Sequence, residues 1–283
     1  MMRLSSYLND VHSQNGEDGA LATLFDVVGT DRRYFVEFGA WDGRYLSNTF
    51  ALIEKGWSGC LIEGDPKRFQ VLSSRVRNPN ISTVCKFVAL EGPDSLDSIL
   101  DDVGAPPEFD LLSIDVDSDD LAIWRSVRRH RPKCVVIEYN PTIPFDCRFE
   151  NSPGKNWGNS ALSIVDFGNT ANYALVCVTA TNLIFSDRAS IDVSDVEEVG
   201  LADSPRGPRY FWGYDGTLLR VAGGERVPED YAPELYGVPW TNCVATQPIP
   251  KVFRGYLDRG SPSSLMRRSL SLLIAGVVRP ISS

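Results

Sequence analysis

Residues 35–43 read Phe35-Val36-Glu37-Phe38-Gly39-Ala40-Trp41-Asp42-Gly43. A β-type run ends here in an acidic residue and gives way to a turn with two glycines, after which a helical pattern begins. About twenty residues later a second run, Gly59-Cys60-Leu61-Ile62-Glu63, ends in another carboxylate. This arrangement is typical of a parallel α/β sheet that holds an adenosine-containing ligand, because glycines let the backbone approach and the second acid accepts hydrogen bonds from ribose. NAD and S-adenosylmethionine both fit it.

Strand-like and helix-like segments alternate on both sides of this stretch. Strands are predicted at 34–38, 60–62, 82–90, 109–115 and 134–137, and helices at 16–28, 46–55, 66–76, 96–103, 119–130 (capped by Ser118) and 160–172. Two short runs, 175–180 and 183–186, are separated by little more than Thr181-Asn182, which predicts a β-hairpin. A dinucleotide dehydrogenase would continue with further βαβ units, so the hairpin favours the methyltransferase variant of the doubly wound fold.

We therefore predict an α/β fold with a Rossmann-like, doubly wound and mostly parallel sheet of about seven strands, ending in an antiparallel hairpin. Residues 1–190 form this domain, including its N-terminal helix, and residues 191–283 form an irregular extension packed on the same domain. We expect the apolar segment 265–278 to dock on its own domain or on a second subunit. Binding to a membrane surface is the less favoured alternative. A homo-oligomer stays open.

Composition narrows the classes of partner. Lys plus Arg is 28 and Asp plus Glu is 37, so the net charge is −9, which argues against a nucleic-acid duplex as partner. The six cysteines form no CxxC pair, and only His12 and His130 are present, so buried thiols are favoured over a zinc site. No apolar signal core follows Arg3 and no run is long enough to span a membrane, so we expect a cytoplasmic protein.

Three further motifs accompany residues 36–43. They are Ser13-Gln14-Asn15-Gly16-Glu17-Asp18, Ile62-Glu63-Gly64-Asp65-Pro66, and Ile114-Asp115-Val116-Asp117 with the later Val136-Ile137-Glu138-Tyr139-Asn140-Pro141. Together, from about residue 10 to residue 190, these motifs resemble the S-adenosylmethionine-dependent methyltransferases, and within them the FkbM-like group of O-methyltransferases. The resemblance implies S-adenosyl-L-methionine as cofactor. The glycine turn departs from the commoner GxGxG form.

The resemblance also implies where the cofactor binds. Glu37 would contact its amino-acid end, and the turn with Gly39, Ala40 and Gly43 would approach it closely. Glu63 is the predicted partner of the ribose diol. For Glu37 and Glu63 the alternative is an exposed acid at a strand end.

A polar patch precedes the first predicted strand. It contains Ser13, Gln14 and Glu17, with the lone His12 beside it. A helix cap and a cofactor or substrate contact explain it equally well. Gln14 is the member that we assign to the cofactor.

Acidic residues follow the fourth and fifth predicted strands. Asp115 and Asp117 follow one strand, and Glu138 and Asn140 follow the other. The carboxyl ends of neighbouring parallel strands lie beside the ligand site, and alternation places each pair on one side. Carboxylates at short range repel, which raises a pKa or recruits a cation, and oxygen ligands suit Mg²⁺, Ca²⁺ or Mn²⁺.

Three interpretations of these acids stay open. Asp117, Glu138 and Asn140 would hold a divalent cation that orients vicinal hydroxyls and lowers the pKa of one. The arrangement looks similar to that of several metal-dependent O-methyltransferases, with Tyr139 as a departure. Alternatively Asp115 or Asp117 acts as general base without metal, or the acids only cap helices and bind the methionine end. Asp115, Asp117 and Glu138 are the predicted catalytic residues, and Asp115 also a cofactor contact.

The predicted function is O-methyl transfer to a hydroxyl of a sugar, a glycosylated small molecule or a surface glycan. The loop at 141–158 would cover the substrate, with Trp157 or Phe145 available to stack on a sugar ring. Two rivals are N-methylation of a small molecule without a metal and a catalytically silent methyltransferase-like interaction module. The silent module would dock through residues 265–278.

Overall fold

The structure is a computed structural model. It describes residues 2–203, except 142, 144, 146, 147, 153, 154 and 191–194, and the backbone of 210–212 and 218–220. Most of the predicted C-terminal extension, including the apolar segment 265–278, lies outside the described residues.

Seven strands form one mixed sheet. They are β1 Tyr34–Phe38, β2 Ser58–Ile62, β3 Ile81–Val84, β4 Glu108–Ile114, β5 Arg131–Glu138, β6 Tyr173–Val178 and β7 Asn182–Asp187. Their order is β3-β2-β1-β4-β5-β7-β6, and β7 pairs antiparallel with both β5 and β6 while the pairs from β3 to β5 are parallel. The predicted doubly wound sheet with a terminal antiparallel hairpin is confirmed.

Six α-helices accompany the sheet in the described residues. They are α1 Glu17–Val28, α2 Phe50–Glu54, α3 Pro66–Arg75, α4 Leu96–Asp102, α5 Asp120–Ser126 and α6 Ala161–Thr170. Helix α3 begins as predicted, because the Asp65 carboxylate accepts the N–H groups of Lys67 and Arg68 and Pro66 suits the first turn.

Both faces of the sheet are covered. Ile184 of β7 belongs to the buried cluster that contains Leu21 and Leu24 of α1. The next residue, Phe185, points to the opposite face, and its ring centroid lies 5.2 Å from that of Trp124 in α5. This two-sided burial explains why the parallel strands are nearly continuous apolar runs.

Two predicted elements are shorter than expected. The third strand ends at Val84 rather than residue 90, because Val84 is in register with Ile62, the last residue of its partner β2. The second helix begins at Phe50 rather than residue 46. Leu46 has φ of 55°, outside the right-handed helical region.

The helix after β4 also differs from the prediction. It spans Asp120–Ser126 rather than 119–130, and its N-cap is Asp119 rather than Ser118. Its end is set by Asp97, whose carboxylate accepts the N–H groups of Arg128 and Arg129 and so turns the chain into β5.

The sheet and its helices belong to one compact unit, built from residues 1–140 and 150–207. A second unit takes residues 141–149 and 208–283, and its described part includes an antiparallel pair of strands, β8 Tyr210–Trp212 and β9 Leu218–Arg220. In the described part of the chain, helices are too short or too polar to cross a membrane.

Candidate active site

A pocket of about 570 Å³ lies at the carboxyl ends of β1, β2, β4 and β5. The strand order reverses between β1 and β4, and crevices at such switch points are where open α/β sheets bind ligands. The volume falls in the range of small-molecule sites. The predicted site residues that line it are Gln14, Glu37, Gly39, Ala40, Glu63, Asp115, Asp117 and Glu138.

Glu37 lines the pocket from the end of β1 and is buried. Its carboxylate accepts hydrogen bonds from the hydroxyls of Ser47, at 2.8 Å, and Thr49, at 2.7 Å, and from the N–H of Asn48, at 3.1 Å. Burial raises the pKa of Glu37 above its ordinary value, although these hydrogen bonds oppose the rise. Glu37 therefore orders the segment that the sequence predicted as the start of a helix.

The two glycines of the turn have different surroundings. Gly39 has φ of 79°, and a Cβ there would lie 1.5 Å from the carbonyl oxygen of Asp115, so no larger residue fits. Gly43 has φ of 75°, and a Cβ there would meet the Leu72 side chain at 2.6 Å. Gly39 lines the pocket, whereas Gly43 packs against α3, so its cofactor role stays a prediction without a pocket contact.

Glu63 lines the pocket from the end of β2. One carboxylate oxygen accepts the N–H of Trp41 at 2.8 Å, and the other accepts the N–H of Asp65 at 2.7 Å. Each oxygen keeps a further lone pair for a ligand hydroxyl. Glu63 thus fixes the glycine turn to the end of β2 and remains available to the pocket.

Three carboxylates lie close together at the carboxyl ends of β4 and β5. Oxygens of Asp115, Asp117 and Glu138, hereafter the acid cluster, lie within 4.8 Å of one another. Asp115 is exposed to solvent in the pocket, although protein atoms surround its other sides. Burial, followed by the charges of Asp117, Asp120 and Glu37, raises the pKa of Asp115 to about 7. Burial and the charges of Asp115 and Asp117 raise the pKa of Glu138 well above its ordinary value.

Asp120 holds the loop that carries Asp117 of the acid cluster. It is buried, and its carboxylate accepts the N–H groups of Val116, at 2.8 Å, and Ser118, at 2.9 Å. Burial raises the pKa of Asp120 to about 6. The sequence places Asp120 only at the start of the predicted helix 119–130, and no local pattern marks a carboxylate that turns back onto the preceding loop. Asp117, between the two bonded amides, has φ of 59°.

Asn140 was the fourth predicted oxygen ligand. Its side-chain amide donates to the carbonyl of Trp157 at 2.7 Å, and its N–H donates to the carbonyl of Asn159 at 2.8 Å. It is not among the residues that line the pocket, so its role as a metal ligand stays a prediction without support from this geometry.

Residues of the polar N-terminal patch differ in their position relative to the pocket. Gln14 is exposed and lines the pocket. Ser13 is buried, and its N–H donates to Asp18 at 2.7 Å. His12 lies 3.0 Å from Glu54 and packs its ring edge on Phe50, outside the pocket.

Aromatic side chains form an exposed wall of the pocket that the sequence reasoning missed. Trp41, Tyr45 and Phe87 line it with exposed fractions of 45%, 58% and 76%. The guanidinium of Arg68 lies 4.8 Å from the centre of the Trp41 ring, and the Tyr45 ring meets Trp41 edge-on at 5.2 Å. A signal was available, because Trp41 stands inside a glycine turn where no helix or strand periodicity requires a large apolar residue. Neither Trp157 nor Phe145 is among the residues lining this pocket.

Comparisons with known proteins found similar solved structures but no matching family model or curated protein. Solved structures that resemble it include an O-methyltransferase from Bacillus cereus in complex with S-adenosylhomocysteine, which is 15% identical, with 64% of this chain and 84% of that chain covered and a TM-score of 0.39. A TehB-like SAM-dependent methyltransferase from Corynebacterium glutamicum is 14% identical, with 65% and 92% covered and a TM-score of 0.39.

A third similar structure is M. capricolum TrmK in complex with S-adenosylhomocysteine, which is 9% identical, with 62% of this chain and 70% of that chain covered and a TM-score of 0.41. The strand order, with its antiparallel β7, decides the fold assignment. The chain has the α/β methyltransferase fold. The FkbM-like subgroup stays a prediction.

Proposed function

We propose that the chain is an S-adenosylmethionine-dependent O-methyltransferase of the FkbM-like kind. Its acceptor is a hydroxyl of a sugar, a glycosylated small molecule or a surface glycan, and a divalent cation assists. The observation that carries the proposal is the acid cluster beside a pocket at the switch point of a methyltransferase sheet.

The cofactor half of the proposal rests on the strand ends of β1 and β2. Glu63 would accept hydrogen bonds from the ribose diol through its remaining lone pairs. Glu37 and Gln14 line the same pocket and would contact the amino-acid end. Gly39 and Ala40 supply a turn without bulky side chains beside it.

The acceptor half rests on the acid cluster. Three carboxylates offer the hard oxygen ligands that Mg²⁺, Ca²⁺ or Mn²⁺ prefer, and the mutual repulsion of carboxylates favours uptake of a cation. When bound, a cation would orient two vicinal hydroxyls and lower the pKa of one. Asp117 and Glu138 would hold it, and Asp115 would accept the hydroxyl proton as the new oxygen–carbon bond forms and the carbon–sulfur bond breaks.

The aromatic wall supports a sugar acceptor. Trp41, Tyr45 and Phe87 offer exposed ring faces and edges in the same pocket as the carboxylates. Aromatic faces pack on the C–H faces of sugar rings, while carboxylates accept hydrogen bonds from their hydroxyls. A polyol would therefore satisfy both surfaces at once.

A second candidate is N-methylation of a small amine. The acid cluster that would hold a cation would also attract a protonated amine. Such an acceptor must lose its proton before transfer, and Asp115 would take it without a metal.

Formation of S-adenosylhomocysteine distinguishes the candidates. We would offer S-adenosylmethionine with a panel of glycosides and polyols and a matched panel of amines, each in Mg²⁺ and in EDTA. Turnover of a glycoside that EDTA abolishes is the expected result. EDTA-insensitive turnover of an amine would favour the second candidate, and S-adenosylhomocysteine binding without turnover on either panel would favour a silent module.

A further inference from the structure

Glu17 is a buried carboxylate that the proposed chemistry does not use. It is the first residue of α1 and is 0% exposed. Among the described residues, no Lys, Arg or His pairs with it; instead it accepts hydrogen bonds from the Thr179 hydroxyl at 2.6 Å, the Asn182 amide at 3.0 Å and the N–H of Asn15 at 2.8 Å. Burying a carboxylate is costly unless donors satisfy it, and the three donors here come from two segments that are far apart in the sequence.

Two of these donors lie at the turn between β6 and β7, Thr179 within the turn and Asn182 at the first position of β7. Tyr139 holds the same turn from the other side, because its hydroxyl donates to the carbonyl of Thr179 at 3.0 Å and its N–H donates to the carbonyl of Thr181 at 2.8 Å. Asn182 is in register with Glu138 of the acid cluster. The turn therefore has a fixed position relative to the acceptor side of the pocket.

The N-terminal loop is attached to this turn by one direct hydrogen bond and by one connection through Glu17. The Asn15 N–H donates to Glu17, and the Asn15 side chain donates to the Thr181 hydroxyl at 2.9 Å. Ser13 and Asn15 are 6% and 2% exposed, so the loop is anchored on both sides of Gln14. Gln14 itself is exposed and lines the pocket.

We infer that Glu17 is a positioning residue that sets Gln14 against the ligand by fastening the N-terminal loop to the β6–β7 turn. The inference rests on the proposed function, because the ligand that Gln14 contacts is the cofactor. It explains the buried carboxylate, and it gives the N-terminal motif Ser13-Gln14-Asn15-Gly16-Glu17-Asp18 a role beyond capping α1.

The test compares S-adenosylhomocysteine affinity, by calorimetry, for the full chain and for Glu17→Gln, each well below its Tm. The amide keeps the size of the side chain but places a donor group beside one of the three donors. We expect an affinity loss on the order of tenfold, the scale of effect produced by small misplacements of ligand-contacting groups.

Asp110→Asn is the matched control. Asp110 is 1% exposed and also accepts three hydrogen bonds, from the N–H groups of Asp31, Arg32 and Tyr34, at the amino end of β4 away from the pocket. Both variants should lower Tm, but only Glu17→Gln should weaken binding. Equal affinities in the two variants would overturn the inference and leave Glu17 a purely structural acid.

A double-mutant cycle with Gln14→Ala tests the route. Gln14 is exposed, so its replacement should not unfold the chain. If Glu17 acts through Gln14, Glu17→Gln should cost little further affinity in the Gln14→Ala background. Additive losses, or no loss from Gln14→Ala alone, would overturn the inference. Failure of the unaltered chain to bind S-adenosylhomocysteine would instead overturn the proposed function.

Discussion

The amino edge and the carboxyl edge of the sheet both carry buried or crowded acids, but their partners differ. At the amino edge Asp110 accepts three backbone N–H groups, and Asp187 receives two hydrogen bonds from Arg131. At the carboxyl edge the described residues provide no such set of donors to the acid cluster, and its members face one another. A carboxylate whose oxygens are already satisfied stabilises the fold, whereas carboxylates that face each other are available to a ligand.

Asp117→Ala should have the largest effect, on turnover. It removes one oxygen ligand or base from the carboxyl edge, so the rate of S-adenosylhomocysteine formation should fall about 10²–10⁴-fold while the affinity for S-adenosylhomocysteine stays unchanged. Asp31→Ala, an exposed acid paired with Lys133 near the other edge, is the control and should keep full turnover. Full turnover in Asp117→Ala would show that this acid of the carboxyl edge is not needed for methyl transfer.

Asp110→Ala should affect stability instead of ligand binding. Three N–H groups lose a buried acceptor, so the free energy of unfolding should fall by about 2–4 kcal/mol, measured by urea denaturation. The affinity for S-adenosylhomocysteine should stay within twofold, roughly 0.4 kcal/mol, of that of the unaltered chain. Ordinary surface substitutions change stability by less than about 0.5 kcal/mol. A change that small in Asp110→Ala would show that Asp110 does not stabilise the fold.

Glu63→Ala should weaken S-adenosylhomocysteine binding by tenfold or more, since charge-assisted hydrogen bonds are worth about 1.5–3 kcal/mol. Glu63 shares features of both edges, because two N–H groups bind it while it lines the pocket. Glu63→Gln separates the two roles. It keeps an acceptor for one N–H, and its affinity should lie between those of Glu63→Ala and the unaltered chain. Unchanged affinity in Glu63→Ala would refute the ribose assignment.

Asp97 should produce the smallest effect, a contribution to stability that changes with pH only in the acid range. Burial raises its pKa, but the hydrogen bonds with His130 and with the N–H groups of Arg128 and Arg129 outweigh burial and hold the pKa below its ordinary 3.8. Above pH 3.8 the carboxylate is ionised in both states and contributes fully to stability. As the pH falls through the pKa of the folded protein, that contribution is lost.

Urea titrations of the unaltered chain and of Asp97→Asn check this pH dependence. The difference in unfolding free energy between them should be constant near neutral pH and shrink below pH 3.8. A difference that grows on acidification would contradict the assigned direction of the pKa shift.

The sheet was predictable because its strands are apolar runs with clear breaks, and both the parallel order and the hairpin follow from connection lengths. Element ends were less predictable. Residues 46–49 read as helical by pattern, but Glu37 uses the polar groups of Ser47, Asn48 and Thr49 as donors. Val84 ends its strand because its partner ends at Ile62. Both are tertiary effects that a local pattern does not contain.

The acids at the ends of β4 and β5 were predictable as neighbours for a similar reason, since parallel strands bring their carboxyl ends to one edge. The structure brings Asp115, Asp117 and Glu138 together but turns Asn140 toward Trp157. Asp120 was missed because the N–H groups that it binds lie in the preceding loop, and the aromatic wall was missed because its residues stand in loops themselves. Sequence spacing constrains loops weakly.

Calorimetric titration of the chain with S-adenosylhomocysteine, once with Mg²⁺ and once with EDTA, decides whether this pocket binds the cofactor. We expect micromolar binding in both conditions, since the proposed cofactor residues are Gln14 and those at the ends of β1 and β2, whereas the acid cluster serves the acceptor. Absence of binding in both conditions would overturn the proposed function and leave a methyltransferase fold without methyltransferase function.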